Sequence, residues 1–249
     1  MSRSPAPPAR TEATARPPAG VLERGIAILE AFGPMHQRLT LRELAEITAL
    51  DKATLLRLLG VLQRARMVLR LESGSYSLGP ALLHMGMLYR DSFDLGERLQ
   101  PVLREWMRST GETVAFYVRS GDERVCLYRE NTHQEVRHHV EPGTRVPLAD
   151  GGASAHILRH FSGETTRHSE DIVRDGYVIT RAERVAEMTS IALPVFESEG
   201  QFLGALVVMG LASRQSVQAQ LTAYRTACQL LSAQGLSASP PPGWLVTAR

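Results

Sequence analysis

The sequence predicts an α+β protein with a helical part first and a mostly antiparallel sheet after it. Up to about residue 64 the apolar residues recur every three or four positions, as they do in amphipathic helices. From Glu112 they recur with a period of two, which indicates strands, and helical stretches separate the pairs of strands. A chain of 249 residues is long enough for two modest domains.

Two short helices joined by a tight turn are predicted within residues 41–62. Thr40 and Glu43 form a capping box for the first helix, and Asp51 is an N-cap for the second. Neither helix is long enough to bury its apolar face against the other alone, so a third helix is required. The predicted core residues are Leu41, Leu44, Ala45 and Thr48 in the first helix and Leu55, Leu58, Leu59 and Leu62 in the second.

A preceding helix and a hairpin complete this part. The helix is predicted over residues 21–32, ended by Gly33-Pro34, and the strands over 67–71 and 75–78. Three helices followed by a two-stranded wing are typical of a winged helix-turn-helix, which lays a recognition helix in the DNA major groove. A small helical bundle of another purpose is the alternative. The predicted core residues of the first helix are Leu22, Ile26, Leu29 and Phe32.

The outer face of the predicted helix after Asp51 carries the candidate DNA-reading side chains. Arg57 has the geometry to contact guanine or phosphate, and Lys52, the only lysine, is a candidate phosphate contact. Leu56 either meets a thymine methyl group or packs against the first helix. Arg64, Arg66 and Arg70 are either phosphate contacts or solvated surface arginines. The residues predicted to bind double-stranded DNA are Thr40, Lys52, Ala53, Thr54, Leu56, Arg57, Arg64 and Arg70.

Basic residues concentrate in the first part of the chain. Residues 1–90 carry 12 basic and 7 acidic side chains, whereas residues 91–249 carry 16 and 19. A basic head is typical of nucleic-acid binders, although this charge also fits an ordinary surface. Residues 1–19 are rich in Pro, Ala and Arg and are predicted to be a disordered arm rather than a signal peptide. Because no apolar run reaches membrane-spanning length, we expect a cytoplasmic protein without a membrane partner.

A linker and a second domain follow the winged part. Residues 80–111 are predicted to form linker helices, interrupted at 91–94, that serve dimerisation. The second domain is predicted over 112–234, followed by a flexible tail over 235–249. Cys126 and Cys228 lack metal-ligand spacing and are predicted to be buried free thiols. The predicted strands are 113–118, 124–129, 136–140, 190–196 and 202–209, and the predicted helices are 152–161 and 215–234.

The second domain offers little catalytic or metal-binding chemistry. Ser154 and His156 are two residues apart on a helix and face different ways, so we predict no nucleophile–base pair, no enzyme activity and no cofactor. His156 and His160 share a helix face, as zinc ligands do, with His138 or His139 as a third ligand. We favour ordinary, partly buried histidines and assign no metal site.

A small-molecule cavity is a further possibility. The strand over 202–209 places Ala205, Val207 and Met209 on one face, and the neighbouring strand places Ser190 and Ala192 on one of its faces. If these residues line one concavity, it is mostly apolar with a hydroxyl group at one end, which suits a small organic ligand. Plain core packing is the alternative.

Over residues 21–210 the chain resembles the IclR family of bacterial transcriptional regulators. The first part contains Leu22-Glu-Arg-Gly-Ile-Ala-Ile-Leu-Glu30, Leu39-Thr-Leu-Arg-Glu-Leu-Ala45, Lys52-Ala-Thr-Leu-Leu-Arg-Leu-Leu59 and Tyr76-Ser-Leu-Gly79. The second contains Thr110-Gly-Glu-Thr-Val114, Pro142-Gly-Thr-Arg-Val-Pro-Leu148, Asp175-Gly-Tyr177 and Ile191-Ala-Leu-Pro-Val195. The resemblance implies a winged helix-turn-helix, a linker helix used for dimerisation and a GAF-like C-terminal effector domain. It also implies dimers, or dimers of dimers, that bind palindromic operators.

The resemblance further implies an effector site over the sheet. Position by position, it indicates effector contacts at Val146, Gly152, Ala153, Ser190, Val207 and Met209. Val207 and Met209 stand where the family commonly has small polar residues, so we expect an apolar or aromatic acid as effector. Ser154-Ala155 replaces the family's Gly-Lys, Ala149 replaces a histidine, and Ala49 replaces the turn glycine. The segment between residues 161 and 176 is shorter than in most members, as if a helix were missing.

These observations favour one function. We interpret the chain as a ligand-responsive DNA-binding transcriptional regulator, a repressor of an operon for small-molecule catabolism. One alternative is a metabolic enzyme that uses the C-terminal domain, with the head as a DNA tether. Another is a regulator whose effector pocket is vestigial and which works by assembly alone.

Overall fold

The computed structural model describes residues 20–91, 95–134 and 140–240. The chain divides into two units, Met1–Tyr89 and Arg90–Arg249, so the boundary falls inside the predicted linker. The predictions for the arm over 1–19, for the strand over 136–140 apart from Val140, and for the tail beyond residue 240 lie outside the described residues. In the described part, no helix is both long enough and apolar enough to cross a membrane.

The first unit is a winged helix-turn-helix, as predicted. The Thr40 hydroxyl accepts a hydrogen bond from the Glu43 amide, and the Glu43 carboxylate accepts one of 2.7 Å from the Thr40 amide. The Asp51 carboxylate accepts a hydrogen bond of 2.9 Å from the Thr54 amide, so both predicted caps are confirmed. The helices are α1 (Val21–Glu30), α2 (Leu41–Thr48) and α3 (Lys52–Arg64), and the antiparallel wing is β1 (Val68–Arg70) with β2 (Tyr76–Leu78).

The core of the first unit differs in part from the prediction for α1. The prediction is confirmed for Phe32, which is buried, and for Leu29, which packs against the core, but it is wrong for Leu22 and Ile26, which are 77% and 46% exposed. Helix α1 has apolar residues at i, i+4 spacing on two faces, and periodicity alone does not choose between them. Packing against α2 and α3 buries the face of Ile28. The core residues shared by the three helices and the wing include Leu39, Leu44, Leu55, Leu58, Leu59, Val68 and Tyr76.

Two helices occupy the region predicted as the linker. They are α4 (Pro80–Asp91) and α5 (Leu95–Thr110), and residues 92–94 between them lie outside the described part. Pro80 stands at the first position of α4, where its missing N–H costs no intrahelical hydrogen bond. Helix α5 buries one face, whereas several large apolar side chains of α4 are exposed. The exposed α4 residues are Leu83, Met85, Met87, Leu88 and Tyr89.

One antiparallel sheet of six strands forms the second unit. Its strands lie in the order β5-β4-β3-β8-β7-β6, and every neighbouring pair is antiparallel. The short strands β5 and β6 were not predicted, because three or four residues carry too little alternation to be recognised. The strands are β3 (Thr113–Ser120), β4 (Glu123–Glu130), β5 (Arg145–Pro147), β6 (Val178–Arg181), β7 (Met188–Phe196) and β8 (Phe202–Leu211).

Helices cover both faces of this sheet. Val114 and Phe116 of β3 pack with α5 and with α8 (Val217–Ala233), and the Trp106 indole of α5 donates a 2.8 Å hydrogen bond to the Ala223 carbonyl of α8. The alternate residues Ala115 and Tyr117 face the opposite side, where α6 (Ala153–His160) packs. The period-two pattern of the sequence therefore separates two cores, one on each face.

Two segments of the second unit contain structure that the sequence did not predict. Between residues 161 and 176 lies one short helix, α7 (Ser169–Asp175), whose single buried residue, Ile172, gives no periodic signal; that this segment is shorter than in most family members stays a prediction. The tail was predicted to be flexible from residue 235, yet Leu236 and Ala238 are buried. The amide and carbonyl groups of Ser237 pair with those of Phe196, which anchors this segment at the end of β7.

Candidate functional site

The exposed face of α3 carries most of the side chains predicted to read DNA. Lys52, Ala53, Arg57 and Arg64 are exposed, and Arg57 follows Ala53 by one helical turn. Leu56 is 51% exposed, so it projects outward rather than packing in the core. Lys52 at the first position of α3 adds its charge to the positive end of the helix dipole, which favours a phosphate group there.

Three other predicted DNA contacts have different surroundings. Arg70 is exposed on the wing strand β1. The Thr40 hydroxyl is engaged in the α2 cap and donates to the Glu43 carboxylate at 2.8 Å. Thr54 is partly buried, and its amide donates the hydrogen bond that the N-cap Asp51 accepts. Arg70 is therefore accessible to a DNA phosphate, whereas the Thr40 hydroxyl group would have to contact DNA while it also pairs with Glu43.

A cavity lies on the α6 side of the sheet in the second unit. Its volume is about 60 Å³, and it opens between the start of α6, the strands β6 to β8 and the segment joining β6 to β7. Five of the predicted effector residues line it. They are Gly152, Ala153, Ser190, Val207 and Met209.

Val146 is the exception among the predicted effector residues. It is buried on β5, where it pairs with Arg124 of β4. Because β5 lies one strand further out in the sheet, Arg124 stands nearer the cavity and lines it, whereas Val146 does not. The structure therefore places Arg124 rather than Val146 at the cavity, and an effector contact by Val146 stays a prediction.

Arg124 is a buried cation at this cavity. Its side chain donates a 2.9 Å hydrogen bond to the Gly151 carbonyl, and its guanidinium carbon lies 5.6 Å from the centre of the Tyr117 ring. Only 4% of the residue is exposed, and this burial lowers the pKa of Arg124 to about 10. Among the described residues no carboxylate forms an ion pair with it. Its charge is therefore compensated only by neutral groups and by more distant acids.

The cavity is more polar than the sequence predicted. Glu183 and Arg184 line it together with Arg124, and the hydroxyl groups of Thr180 and Ser190 lie 3.0 Å apart beside them. The prediction of a mostly apolar concavity considered β7 and β8 alone, whereas these charges come from β4 and from the segment after β6. One signal was available in the sequence, since Arg124 alternates in phase with the buried Cys126.

A cluster of ionisable side chains borders the cavity. The His156 Nε2 atom lies 2.8 Å from Glu183 Oε1, and the rings of His156 and His168 meet edge to face at a centroid distance of 4.7 Å. Nδ1 of His168 lies 3.2 Å from a carboxylate oxygen of Asp171. One potential ligand atom from each of His156, His168 and Glu183 lies within 4.8 Å of the others. These three residues have the composition of a metal-binding set.

Electrostatics favour a neutral His156 beside an ionised Glu183. Burial lowers the pKa of His156 more than the hydrogen bond to Glu183 raises it. Burial alone would raise the pKa of Glu183, but the hydrogen bond with His156 and the charge of Arg167 lower it. Neutral imidazole and carboxylate are the forms that bind metal ions.

The histidine pair considered from the sequence does not form one site. His160 Nδ1 lies 3.2 Å from the Ser169 hydroxyl group, and burial lowers the pKa of His160. His138 and His139, the suggested third ligands, lie outside the described residues. Ser154 lines the cavity, while the hydrogen bond of His156 goes to Glu183. Within the described part, no hydrogen bond joins Ser154 to His156.

Two family models match the chain. Residues 21–72 match the IclR helix-turn-helix domain, and residues 87–169 match the C-terminal domain of the bacterial transcriptional regulator IclR. Together they cover more than half of the chain. The curated relatives are likewise described as HTH-type transcriptional regulators, so both comparisons indicate DNA-binding regulators rather than enzymes.

The similarity to these relatives extends over most of the chain. The transcriptional regulator KipR of Bacillus subtilis is 27% identical and is matched over 77% of this chain and 86% of its own length. The transcriptional repressor AllR of Escherichia coli strain K12 is 27% identical, with coverage of 94% and 97%. BhcR of Paracoccus denitrificans is 29% identical, with coverage of 83% and 82%.

Solved structures have the same fold. IclR of Thermotoga maritima superposes with a TM-score of 0.65 at 19% identity, over 86% of this chain and 96% of its own. An IclR homolog from Microbacterium hydrocarbonoxydans, complexed with 4-hydroxybenzoate, has a TM-score of 0.72 at 20% identity, with coverage of 86% and 100%. Identities this low establish the shared fold and nothing finer.

Proposed function

The chain belongs to the IclR family of bacterial transcriptional regulators, and on this basis we propose that it represses a catabolic operon and responds to an organic acid. Relatives named as repressors support repression rather than activation. Because operator DNA is its partner, we propose that it acts in the bacterial cytoplasm. In this proposal the second unit binds the effector, and the winged unit binds the operator.

The buried charge of Arg124, which no carboxylate among the described residues pairs with, is the observation that carries the proposed effector class. A buried guanidinium group without a carboxylate partner is costly, and a bound carboxylate would relieve that cost with charge-assisted hydrogen bonds. Arg124 also lines the cavity, so a ligand there has access to it. A carboxylic acid is therefore the chemistry that best complements the cavity.

The remaining lining indicates what the rest of the acid contacts. Ala153, Val207 and Met209 offer apolar surface, and Thr180 and Ser190 offer hydroxyl groups. An aromatic acid with a polar substituent matches both, in agreement with the sequence-based expectation of an apolar or aromatic acid. The complex of the Microbacterium hydrocarbonoxydans homolog with 4-hydroxybenzoate supports this class.

The size of the cavity implies that binding moves the protein. Its volume is about 60 Å³, whereas an engineered cavity that holds benzene measures about 150 Å³. Glu183, Arg184 and Val185 line the cavity from the irregular segment between β6 and β7, and we propose that this segment shifts when the ligand binds. We propose that this displacement is the first step by which the effector changes operator affinity.

On the DNA side, we propose that α3 lies in the major groove and that the wing contacts the backbone. The exposed charges of Lys52, Arg57, Arg64 and Arg70 support this orientation. Two copies joined through α4 would bind the half-sites of a palindromic operator, as a dimer or a dimer of dimers. The exposed apolar side chains of α4 support that assembly.

A matched pair of ligands tests the effector class. Thermal shift and calorimetry would compare 4-hydroxybenzoate with 4-hydroxybenzamide, which has nearly the same shape but no charge. We expect the wild-type protein to bind the acid at least tenfold more tightly and to release DNA from upstream of its own gene. In Arg124→Met the preference for acid should disappear, because methionine fills the space without the charge.

Arg145→Met is the control variant. Arg145 lies on the next strand and is exposed, with Glu123 as its ion-pair partner, so its loss should leave acid binding unchanged. Equal binding of acid and amide by the wild-type protein would contradict the role of Arg124. Absence of binding across a panel of aromatic and aliphatic acids would indicate a vestigial pocket instead.

A further inference from the structure

We propose that His156, His168 and Glu183 form a binding site for a divalent transition-metal ion of the zinc class, beside the effector cavity. The three side chains come from separate segments, namely α6, the residue before α7, and the segment between β6 and β7. They nevertheless bring one potential ligand atom each within 4.8 Å of the others. This site goes beyond the proposed response to an acid and does not depend on it.

The side-chain chemistry selects the class of ion. Two imidazoles and one carboxylate suit zinc and its neighbours, whereas calcium and magnesium prefer sites made of oxygen alone. Three protein ligands are the number found in open zinc sites, where water or another ligand takes the fourth position. Ligand atoms around one tetrahedral zinc lie about 3.4 Å apart when the bonds are near 2.1 Å. The observed spacing therefore requires side-chain movements of about 1 Å.

Asp171 supplies the outer support that a metal-binding histidine usually has. Its carboxylate lies 3.2 Å from Nδ1 of His168, which orients the ring and leaves Nε2 for a metal ion. Carboxylate–histidine–zinc arrangements use this geometry. The Asp171 contact is therefore a second observation, separate from the spacing of the three ligands.

A purely structural hydrogen-bond network explains the cluster less well. The buried Oε2 atom of Glu183 has no hydrogen-bond partner within the described part of the chain, although Oε1 lies 2.8 Å from His156 Nε2. Unpaired buried polar atoms are rare and often indicate a missing water molecule or ion. Arg167 also contacts Glu183, at 2.5 Å, but its side chain is 63% exposed. It can turn toward solvent when a cation takes its place.

Direct metal binding tests the proposal. The full-length chain, without an affinity tag, would be stripped with a chelator and titrated with Zn²⁺ in competition with a chromogenic chelator. Co²⁺ would then report coordination through its visible absorption. We expect one ion per chain, and at least a tenfold loss of affinity in both His168→Asn and Glu183→Gln.

His160→Asn is the matched control. His160 lies on the same helix as His156 and is partly buried, but its Nδ1 atom faces Ser169 and it stands outside the cluster. This variant should bind metal like the wild-type protein, and circular dichroism would establish that all variants are folded. No stoichiometric binding by the wild-type protein would overturn the proposal. So would loss of the ion in His160→Asn with retention in folded His168→Asn.

Discussion

Glu112 and Arg214 form a two-point ion pair that ties the residue before β3 to the segment after β8. The Arg214 side chain donates hydrogen bonds of 2.8 and 3.0 Å to the two carboxylate oxygens of Glu112. Glu112 is only 3% exposed. Gly210 of β8 leaves room for its carboxylate, since a Cβ atom there would lie 2.4 Å from the carboxyl carbon. The glycine and the ion pair therefore form one packing unit.

Arg214→Ala should destabilise the second unit strongly. The substitution leaves the Glu112 carboxylate buried without its main partner, and breaking a buried pair costs about 3 kcal/mol at the lower end of the usual range. Chemical denaturation would measure the change in the free energy of unfolding. Arg108→Ala is the control, because Arg108 is 70% exposed and its pair with Glu105 should contribute under about 1 kcal/mol. Equal losses in the two variants would contradict this reading of the pair.

Ala49→Gly should stabilise the first unit. Ala49 ends α2 in the left-handed conformation, with φ at 54°. That conformation costs a residue with a Cβ atom about 1 kcal/mol relative to glycine. The variant should therefore raise the free energy of unfolding of this unit by about 1 kcal/mol. Chemical denaturation in which the unfolding transition of the first unit is followed separately would measure the change. Ala45→Gly inside α2 should have the opposite sign, since glycine weakens a helix interior.

Alkaline pH should destabilise the second unit partly through Cys126. The thiol is fully buried, and burial raises the pKa of Cys126 from its ordinary value to about 12. The unfolded thiol ionises near pH 9 while the folded one stays neutral, so stability is complete below pH 9 and falls between pH 9 and 12. At about 1.4 kcal/mol for each pKa unit, this loss is at most about 4 kcal/mol. In Cys126→Ala the denaturation midpoint should fall less steeply as the pH rises from 9 to 12. If the midpoint falls as steeply as in the wild-type protein, the thiol is not the cause.

The winged unit was predictable because its signals are local. The caps at Thr40 and Asp51 lie within three residues of the amides that they bind, and the wing surrounds a short turn. The position of Ala49 was also readable, because a helix end followed two residues later by a new cap demands a left-handed residue. The buried face of α1 was only partly predictable: Leu29 and Phe32 were placed correctly, whereas Leu22 and Ile28 satisfy the same spacing rule and only tertiary packing separates them.

The effector cavity was only half predictable for a related reason. Alternation along β7 and β8 placed Ser190, Val207 and Met209 on the inner face, and the structure brings them together. Arg124 and Glu183 reach the same cavity from segments about sixty residues apart in sequence, through a sheet order that no local pattern encodes. The pairing of His168 with His156 of α6 likewise depends on the path of the irregular segment before α7, where periodicity carries no information.

Arg57→Ala should weaken operator binding without unfolding the winged unit. Arg57 is exposed on α3 and makes no contribution to the core, so its loss should leave the melting temperature unchanged. A bidentate base contact contributes about 1–3 kcal/mol, and a phosphate contact less. Fluorescence anisotropy with DNA from upstream of the gene would measure the affinity at physiological salt. Unchanged affinity would show that Arg57 does not contact the operator. Arg108→Ala is the control for the general loss of a positive charge.

The exposed apolar residues of α4 lead to a prediction about assembly. Leu83 and Met87 lie one turn apart on α4, with 69% and 43% of their surfaces exposed. Apolar side chains on a helix are normally covered, so a second copy of α4 is the expected cover. Light scattering should give a dimer or tetramer for the wild-type protein and the mass of a single chain for the double variant Leu83→Glu, Met87→Glu.

The same double variant should also lose operator affinity, although its reading residues are intact. A dimer binds the second half-site of an operator as an intramolecular event, so a monomer forfeits the gain of about 10²–10⁴ that linkage provides. His84→Glu is the control, because it adds charge to an exposed polar position of α4 and should leave both mass and affinity unchanged. Dimers that persist in the double variant would move the interface away from this face of α4. Loss of affinity with an unchanged mass would instead separate operator binding from assembly.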